Sequence, residues 1–112
     1  MAAARPGGTP TPTHSEGRLA SGLYRQAWTV EDPVGAVVLV HGAHEHGGRY
    51  RHVAERLAAA GYATHAVDHP GHGRSPGRRG NIGSMAAAVD GVAELVRSAG
   101  EQHPGVPLFV YG

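Results

Sequence analysis

The chain contains no cysteine among its 112 residues. That absence excludes disulfides, thiolate metal ligands and a cysteine nucleophile. Lysine is absent as well, so arginine supplies all ten basic residues, and the formal net charge is only +1. A charge so close to zero gives no electrostatic reason to expect a nucleic-acid partner.

Long apolar runs are also missing. No stretch approaches the ~20 consecutive apolar residues that a membrane-spanning helix needs, and the N-terminus lacks the apolar core of a secretory signal. We therefore expect a cytoplasmic protein. Residues 1–18 contain almost no large apolar side chains and are rich in small residues and proline at their start. We expect this segment to be disordered and a single domain to occupy residues 19–112.

Apolar patterning predicts the strands. Apolar and polar side chains alternate between residues 19 and 30, which indicates a half-exposed strand after a turn at residues 21–22. A short strand before that turn is only weakly indicated. Residues 36–40 are continuously apolar, as in a central parallel strand covered on both faces. Two more strands are predicted at residues 62–67 and 108–111, the last of them also buried.

Two amphipathic helices are predicted between these strands. The first covers residues 49–60 and is ended by Gly61, and the second runs from an N-cap at Ser84 to about residue 100. Their apolar stripes are Tyr50, Val53, Leu57 and Ala60 in the first helix, and Met85, Val89, Val92 and Val96 in the second. Strands joined by helix-length crossovers predict an α/β fold, with a mostly parallel sheet and helices on both faces.

The last predicted strand ends directly before Gly112. No helix follows to cover it, and two helices are few for the two faces of such a sheet. We therefore expect residues 19–112 to be the N-terminal part of a larger domain, inactive and poorly stable by itself.

The first candidate site follows the most apolar strand. Residues 41–50 read HGAHEHGGRY, and small residues just after a strand allow the backbone to approach a ligand closely. A backbone N–H here is suited to binding an oxyanion. A tight connection without any ligand explains the glycine equally well.

The same segment has a metal interpretation. Three histidines in HxxHxH spacing, together with an aspartate and a histidine expected nearby in the fold, form a nitrogen-rich set of the kind that binds zinc. These residues are His41, His44, His46, Asp68 and His69. We favour polar loop residues over a zinc site, and expect neither a metal nor another cofactor.

A second motif, residues 68–75, reads DHPGHGRS after the strand at residues 62–67. Asp68 at the strand end is suited to accept backbone N–H groups and fix the loop, which we favour over a catalytic role. Ser75 has no evident partner base, so a nucleophilic role is not expected.

Together these segments resemble the α/β-hydrolase fold, in its monoacylglycerol lipase and lysophospholipase-like branch (the serine aminopeptidase S33 type). Residues 41–50 look like the family's H-G-x-G-E-H followed by R-Y, and residues 68–75 look like its D-x-x-G-H-G-x-S. Residues 104–112 look like the strand that enters the G-x-S-x-G nucleophile elbow, with Gly112 as the first glycine. One departure is His44, where the family usually has glycine.

The resemblance implies a serine hydrolase that cleaves carboxylic esters, of monoacylglycerol or lysophospholipid type. It assigns an oxyanion-hole N–H to Ala43, the shaping of that loop to His41 and Gly42, and head-group binding to Glu45 and Arg49. No member of the Ser-Asp-His triad is expected among these 112 residues. The implied partner is a small ester or lipid, with peripheral membrane contact in the full-length protein. A peptidase or thioesterase of the same superfamily and a histidine-rich zinc-binding or interaction module are the alternatives.

Overall fold

A computed structural model describes residues 11–40, 51–72, 74–77 and 84–111. These residues form five strands and two helices. The strands are β1 (Thr13–Arg18), β2 (Tyr24–Thr29), β3 (Gly35–Val40), β4 (Tyr62–Val67) and β5 (Leu108–Tyr111), and the helices are α1 (Arg51–Ala59) and α2 (Met85–Gln102). The predicted alternation of strands and helices after residue 35 is confirmed.

All five strands belong to one sheet, in the order β1-β2-β4-β3-β5. β3 pairs in parallel with β4 and with β5, and the connections between these strands contain α1 and α2. β2 runs antiparallel to both β1 and β4. The sheet is therefore mixed, with a parallel centre extended on one side by the β1–β2 hairpin.

The prediction that disorder extends to residue 18 is wrong, because residues 13–18 form β1. Its residues pair with β2 from Thr13 opposite Thr29 to Arg18 opposite Tyr24. Nearly all of its side chains are exposed, so backbone pairing rather than core burial holds the strand. A strand of this kind leaves little trace in apolar patterning. Residues 1–10 lie outside the described part of the chain.

Helices cover both faces of the sheet, as predicted. On the α1 face, the core consists of Trp28, Val37, Leu39, Ala54 and Ala66. On the α2 face, it consists of Leu19, Leu23, Val38, Val67, Leu95 and Ala99. Successive residues of β3 alternate between these two cores, which explains why the whole strand is apolar.

The apolar stripe predicted for α2 is only partly right: Val92 and Val96 are half-buried, with Val96 packed against the core, but the first two members are exposed. Met85 is 71% exposed and Val89 is 56% exposed. The residues that α2 buries are smaller on average: Ala88, Gly91, Leu95 and Ala99. They let the helix lie close to the strands, and a Cβ added at Gly91 would come within 2.7 Å of Cδ1 of Leu23.

The stripe predicted for α1 is also only partly right, because Leu57 packs against the core of this face but Ala60 is exposed. α1 buries Ala54 and Ala58, while Val53 is exposed and Leu57 is half-buried. The predicted Tyr50 lies outside the described residues. Both helices thus place mostly small side chains against the sheet, with Leu95 as the large exception, and this allows the close packing of a protein interior.

β5 differs from its prediction as a buried strand. Leu108 is half-buried, and the three residues after it are 50–63% exposed. The reason is position: β5 is an edge strand, and within the described residues only β3 pairs with it. Its ring contact with the α1 face is an edge-on approach of Phe109 to Tyr62, with centroids 6.4 Å apart.

Local signals placed the helix ends correctly. Gly61 follows α1 with φ +93°, a conformation that favours glycine, and its N–H donates to the carbonyl of Ala58. The side chain of Ser84 accepts the N–H of Ala87 and caps α2. Neither of these two helices is both long enough and apolar enough to cross a membrane.

Candidate active site

The carboxyl ends of β3, β4 and β5 meet at one edge of the sheet. Val40 lies opposite Val67, and Leu39 lies opposite Tyr111. The chain segments that follow the three strands therefore start side by side. Open α/β sheets bind their ligands at this edge, just beyond the strand ends.

The residues predicted to bind substrate here lie outside the described part of the chain. They are His41, Gly42, Ala43, Glu45 and Arg49. The same is true of His44, His46 and Gly112. Their assigned roles stay predictions.

Asp68 fixes the turn that follows β4. The residue is 2% exposed, and its Oδ2 accepts the backbone N–H of Arg74 at 3.0 Å. Its own N–H donates to the carbonyl of Tyr24 at 2.9 Å. The first contact closes the turn on itself and the second joins the turn to β2. The predicted structural role of Asp68 is therefore confirmed.

Ser75 connects the far end of this turn to Tyr24 and to Asp68. It is 2% exposed, and its Oγ accepts the backbone N–H of Tyr24 at 2.9 Å. The hydroxyl donates to the backbone carbonyl of Asp68 at 2.5 Å. A hydroxyl engaged in both directions and buried is a structural group, in agreement with the expectation that Ser75 is not a nucleophile.

Tyr24 stands at the centre of a charged cluster at this edge. Its hydroxyl donates to Oε2 of Glu16 at 2.9 Å, and the guanidinium carbons of Arg18 and Arg74 lie 5.7 and 5.3 Å from its ring centroid. Arg18 also donates to the carbonyl of Arg74 at 2.7 Å. Burial, and after it the hydrogen bond to Glu16, raise the pKa of Tyr24, so the phenol stays protonated.

Two histidines of the turn are buried. His69 is 8% exposed and His72 is 6% exposed, and their rings lie nearly perpendicular with centroids 6.5 Å apart. Nδ1 of His72 lies 2.9 Å from the carbonyl oxygen of Pro70. A carbonyl only accepts, so Nδ1 of His72 carries a hydrogen.

A cavity of about 700 Å³ opens between the β1–β2 hairpin and α1. Its lining combines acidic groups, arginines and the aromatic rings of β2, and includes Glu16, Tyr24, Trp28, Glu55, Asp68 and Arg74. The arginines at its rim are already engaged, Arg74 with Glu16 at 3.5 Å and Arg51 with Glu55 at 3.3 Å. Because positive and negative side chains are paired with one another in this lining, the cavity is polar but has no excess charge that would bind an ion.

The zinc interpretation gains nothing from the described residues. Across residues 11–40, 51–72, 74–77 and 84–111, no three side chains of histidine, aspartate or glutamate come together as a metal site. Asp68 instead accepts a backbone N–H, as described above.

Sequence reasoning missed the part played by Tyr24. The alternating pattern assigns it to one face of a strand, but its backbone N–H and carbonyl hold the two ends of the turn after β4. The available signal is the antiparallel pairing of β2 with β4, which brings Tyr24 next to the end of β4. That pairing is a long-range contact, which apolar patterning does not report.

Comparison with known proteins identifies the family. The family described as serine aminopeptidase, S33 matches residues 31–112, which is most of the chain. The chain belongs to this family.

Relatives of this chain include monoacylglycerol lipases. It is 48% identical over 86 residues to a monoacylglycerol lipase of Mycolicibacterium smegmatis, covering 76% of this chain and 31% of that protein. The structure of the Paleococcus ferrophilus monoacylglycerol lipase superposes with a TM-score of 0.64 at 39% identity, covering 79% of this chain and 32% of that one.

A thermostable carboxyl esterase from Bacillus coagulans, solved in complex with glycerol, superposes with a TM-score of 0.69 at 26% identity. The match covers 91% of this chain and 36% of the esterase. This chain therefore spans about a third of the length of each of these three proteins. Its five-stranded sheet is the N-terminal portion of an α/β-hydrolase fold.

Proposed function

We propose that this chain supplies the oxyanion-binding part of a serine hydrolase that cleaves carboxylic esters, of the monoacylglycerol or lysophospholipid type. The observation that carries the proposal is the 48% identity to a monoacylglycerol lipase over 86 residues. The alignment of β3, β4 and β5 at one sheet edge supports it, since this is where such chemistry takes place in open α/β sheets.

In this mechanism a serine attacks the ester carbonyl, and the carbonyl oxygen gains negative charge in the tetrahedral intermediate. The backbone N–H of Ala43, directly after β3, donates to that oxygen. A second N–H follows the nucleophile, for whose elbow Gly112 stands in the position of the first glycine. Glu45 and Arg49 hydrogen-bond the hydroxyls of the substrate head group.

The turn after β4 serves this arrangement as a rigid neighbour. Asp68 and Ser75 both bind the backbone of Tyr24, so the turn is held at two points at the carboxyl end of β4. An oxyanion hole acts through donors that are in place before the charge develops. A turn fixed at the end of β4 supports this role, because β4 pairs with β3 up to the last residue of both strands.

The test is a chimera in which the matching segment of the Mycolicibacterium smegmatis monoacylglycerol lipase is replaced by that of this chain. We expect the chimera to hydrolyse monoacylglycerol, and the 112-residue chain alone to give no turnover. Within the chimera, Ala43→Pro removes the donor N–H and should lower kcat about 100- to 1000-fold. Ala43→Gly retains the N–H and is the matched control.

A chimera that melts cooperatively but shows no turnover contradicts the proposal, as does an Ala43→Pro variant that keeps kcat within a few-fold of Ala43→Gly. Glu45→Gln and Arg49→Met are expected to raise KM for monoacylglycerol, with a much smaller effect on a simple alkyl ester that lacks head-group hydroxyls. Equal effects on both esters would remove the head-group assignment.

Aminopeptidase activity is the second candidate, because the matching family is described as serine aminopeptidase. The same oxyanion site serves an amide carbonyl. Comparing kcat/KM of the chimera for a monoacylglycerol and for an aminoacyl anilide decides between the two. We further propose that the protein is cytoplasmic and contacts membranes only peripherally, which fractionation of cells that express it would test.

A further inference from the structure

A pair of histidines lies on the α2 face of the sheet, remote from the turn after β4. His65 of β4 is fully buried, between Ala27 of β2 and Val38 of β3. Its Nε2 lies 2.8 Å from Nε2 of His103, the C-cap residue directly after α2. The ring centroids are 5.0 Å apart with an interplanar angle of 62°. The pair thus connects the end of the long helix to the centre of the sheet.

The hydrogen bond requires complementary protonation of the two rings. One Nε2 carries a hydrogen and donates, and the other is bare and accepts. Nδ1 of His65 is buried and has no partner among the described residues. If that nitrogen carried the hydrogen, a buried donor would have no acceptor, which folding penalises more than a bare acceptor nitrogen in the same place. His65 is therefore the donor, with its hydrogen on Nε2.

The half-buried His103 then accepts at Nε2 and carries its own hydrogen on Nδ1. Adding a proton to the bare Nε2 of His103 would point two N–H groups at one another. The alternative, in which His65 turns to its Nδ1–H form, buries a donor without a described acceptor. Protonation of the pair therefore breaks its bond or leaves an unsatisfied group in the core.

The surroundings also disfavour a charge on the pair. Burial is the main cause that lowers the pKa of His65 to about 4, and His103 and the nearby Arg25 of β2 act in the same direction. Burial lowers the pKa of His103 as well. β3 contributes the apolar Val38 at this register. The charged side chains of α2 on this side, Glu94, Arg97 and Glu101, line an exposed groove together with Arg25.

We propose that His65 and His103 form an acid-sensitive latch, in which Nε2–H of His65 donates to Nε2 of His103 and protonation of the pair releases the end of α2 from β4. The latch is closed when both rings are neutral. It opens toward acid, and the segment that it frees leads directly into β5.

The sign of the pH dependence follows from linkage. The folded chain binds protons at these sites less readily than the unfolded chain, whose histidines titrate near pH 6.5. The contribution of the latch to stability is therefore complete above pH 6.5 and falls as the pH decreases. The unfolding equilibrium constant should rise by up to about tenfold per pH unit for each proton taken up, down to about pH 4, where folded His65 also titrates.

The decisive measurement is long-range ¹H–¹⁵N NMR of the imidazole nitrogens in the unmodified 112-residue chain. At pH 7.5 we expect His65 as the Nε2–H tautomer and His103 as the Nδ1–H tautomer. As the pH falls toward 5, amides near residues 99–103 should lose hydrogen-exchange protection before those of β3. An Nδ1–H tautomer at His65, unfolded-type shifts for His65 at pH 7.5, or titration of His65 at an ordinary pKa would each overturn the latch.

Denaturant unfolding of variants provides the second measurement. His103→Gln keeps an acceptor for His65 but removes one titrating ring, so stability should decrease less steeply between pH 7 and pH 5 than in the parent chain. His52→Gln is the matched control, because the side chain of His52 is 92% exposed on α1 and its 4.0 Å contact with Glu55 is a surface pair of little energy, so the variant should nearly reproduce the parent slope. An unchanged slope in His103→Gln overturns the proposal. Neither measurement involves ester hydrolysis, so failure of the latch is distinct from failure of the proposed function.

Discussion

The two faces of the sheet are covered in different ways. α2 runs for 18 residues and lies so close to the residue before β2 that a Cβ added at Gly91 would be 2.7 Å from Cδ1 of Leu23. α1 has only nine residues, and beside it the hairpin side of the same face opens into a cavity of about 700 Å³. Within the part of the chain that the structure describes, one face is closed by a long helix and the other is partly open. The stability of this portion of the fold should therefore depend more on α2 than on α1.

The largest effect should come from the centre of the closed face. Leu95 is fully buried against the strands, and Leu95→Ala should lower the free energy of unfolding by about 2–5 kcal/mol. Leu57 of α1 is only half-buried, so Leu57→Ala should cost less than half as much. Urea unfolding at pH 7.5 measures both. Equal losses for the two variants would contradict the difference between the faces.

An intermediate effect tests how closely α2 approaches the sheet. Gly91→Ala places a Cβ 2.7 Å from Cδ1 of Leu23, so that side chain must shift, whereas a Cβ at Gly100 of the same helix meets nothing within 4 Å. Gly100→Ala should stabilise the chain by roughly 0.5–1 kcal/mol through helix propensity alone. Gly91→Ala should lie about 1–3 kcal/mol below it, because crowding against Leu23 offsets that gain. If both variants stabilise the chain equally, the close contact is absent in solution.

The smallest effect should occur on the outer surface of α2. Val89 belongs to the apolar stripe that periodicity assigns to the core, but it is 56% exposed. Val89→Gln should change the free energy of unfolding by no more than about 0.5 kcal/mol. The same substitution at the buried position, Leu95→Gln, is the control. A decrease of more than about 2 kcal/mol in the free energy of unfolding for Val89→Gln would mean that Val89 is buried, as periodicity predicts.

Much of the fold is predictable from local features. Continuous apolar character identified β3, and residues with special backbone roles placed the ends of the helices at Gly61 and Ser84. The positions of large apolar side chains did not identify the buried helix faces. Those faces consist mostly of alanine and glycine, which contribute little to apolar periodicity but permit the closest packing. β1 was only weakly indicated, because it is held by pairing with a strand that lies beyond a turn.

The candidate site was predictable to a smaller extent. Asp68 was correctly assigned to the turn, since an aspartate at a strand end beside glycines has an evident use for its carboxylate. The contribution of Tyr24 depends on its main-chain atoms, which are the same in every residue type except proline. The His65–His103 contact joins positions 38 residues apart and depends on the packing of α2.

The two hydrogen bonds of the buried Ser75 hydroxyl have a practical consequence for experiments with covalent reagents. An organophosphorus probe attaches to a serine oxygen that is accessible and able to release its hydrogen to a base. Oγ of Ser75 is enclosed and occupied on both sides by main-chain groups. Probe attached to a protein that carries this chain can thus be attributed to a different serine without first mutating position 75.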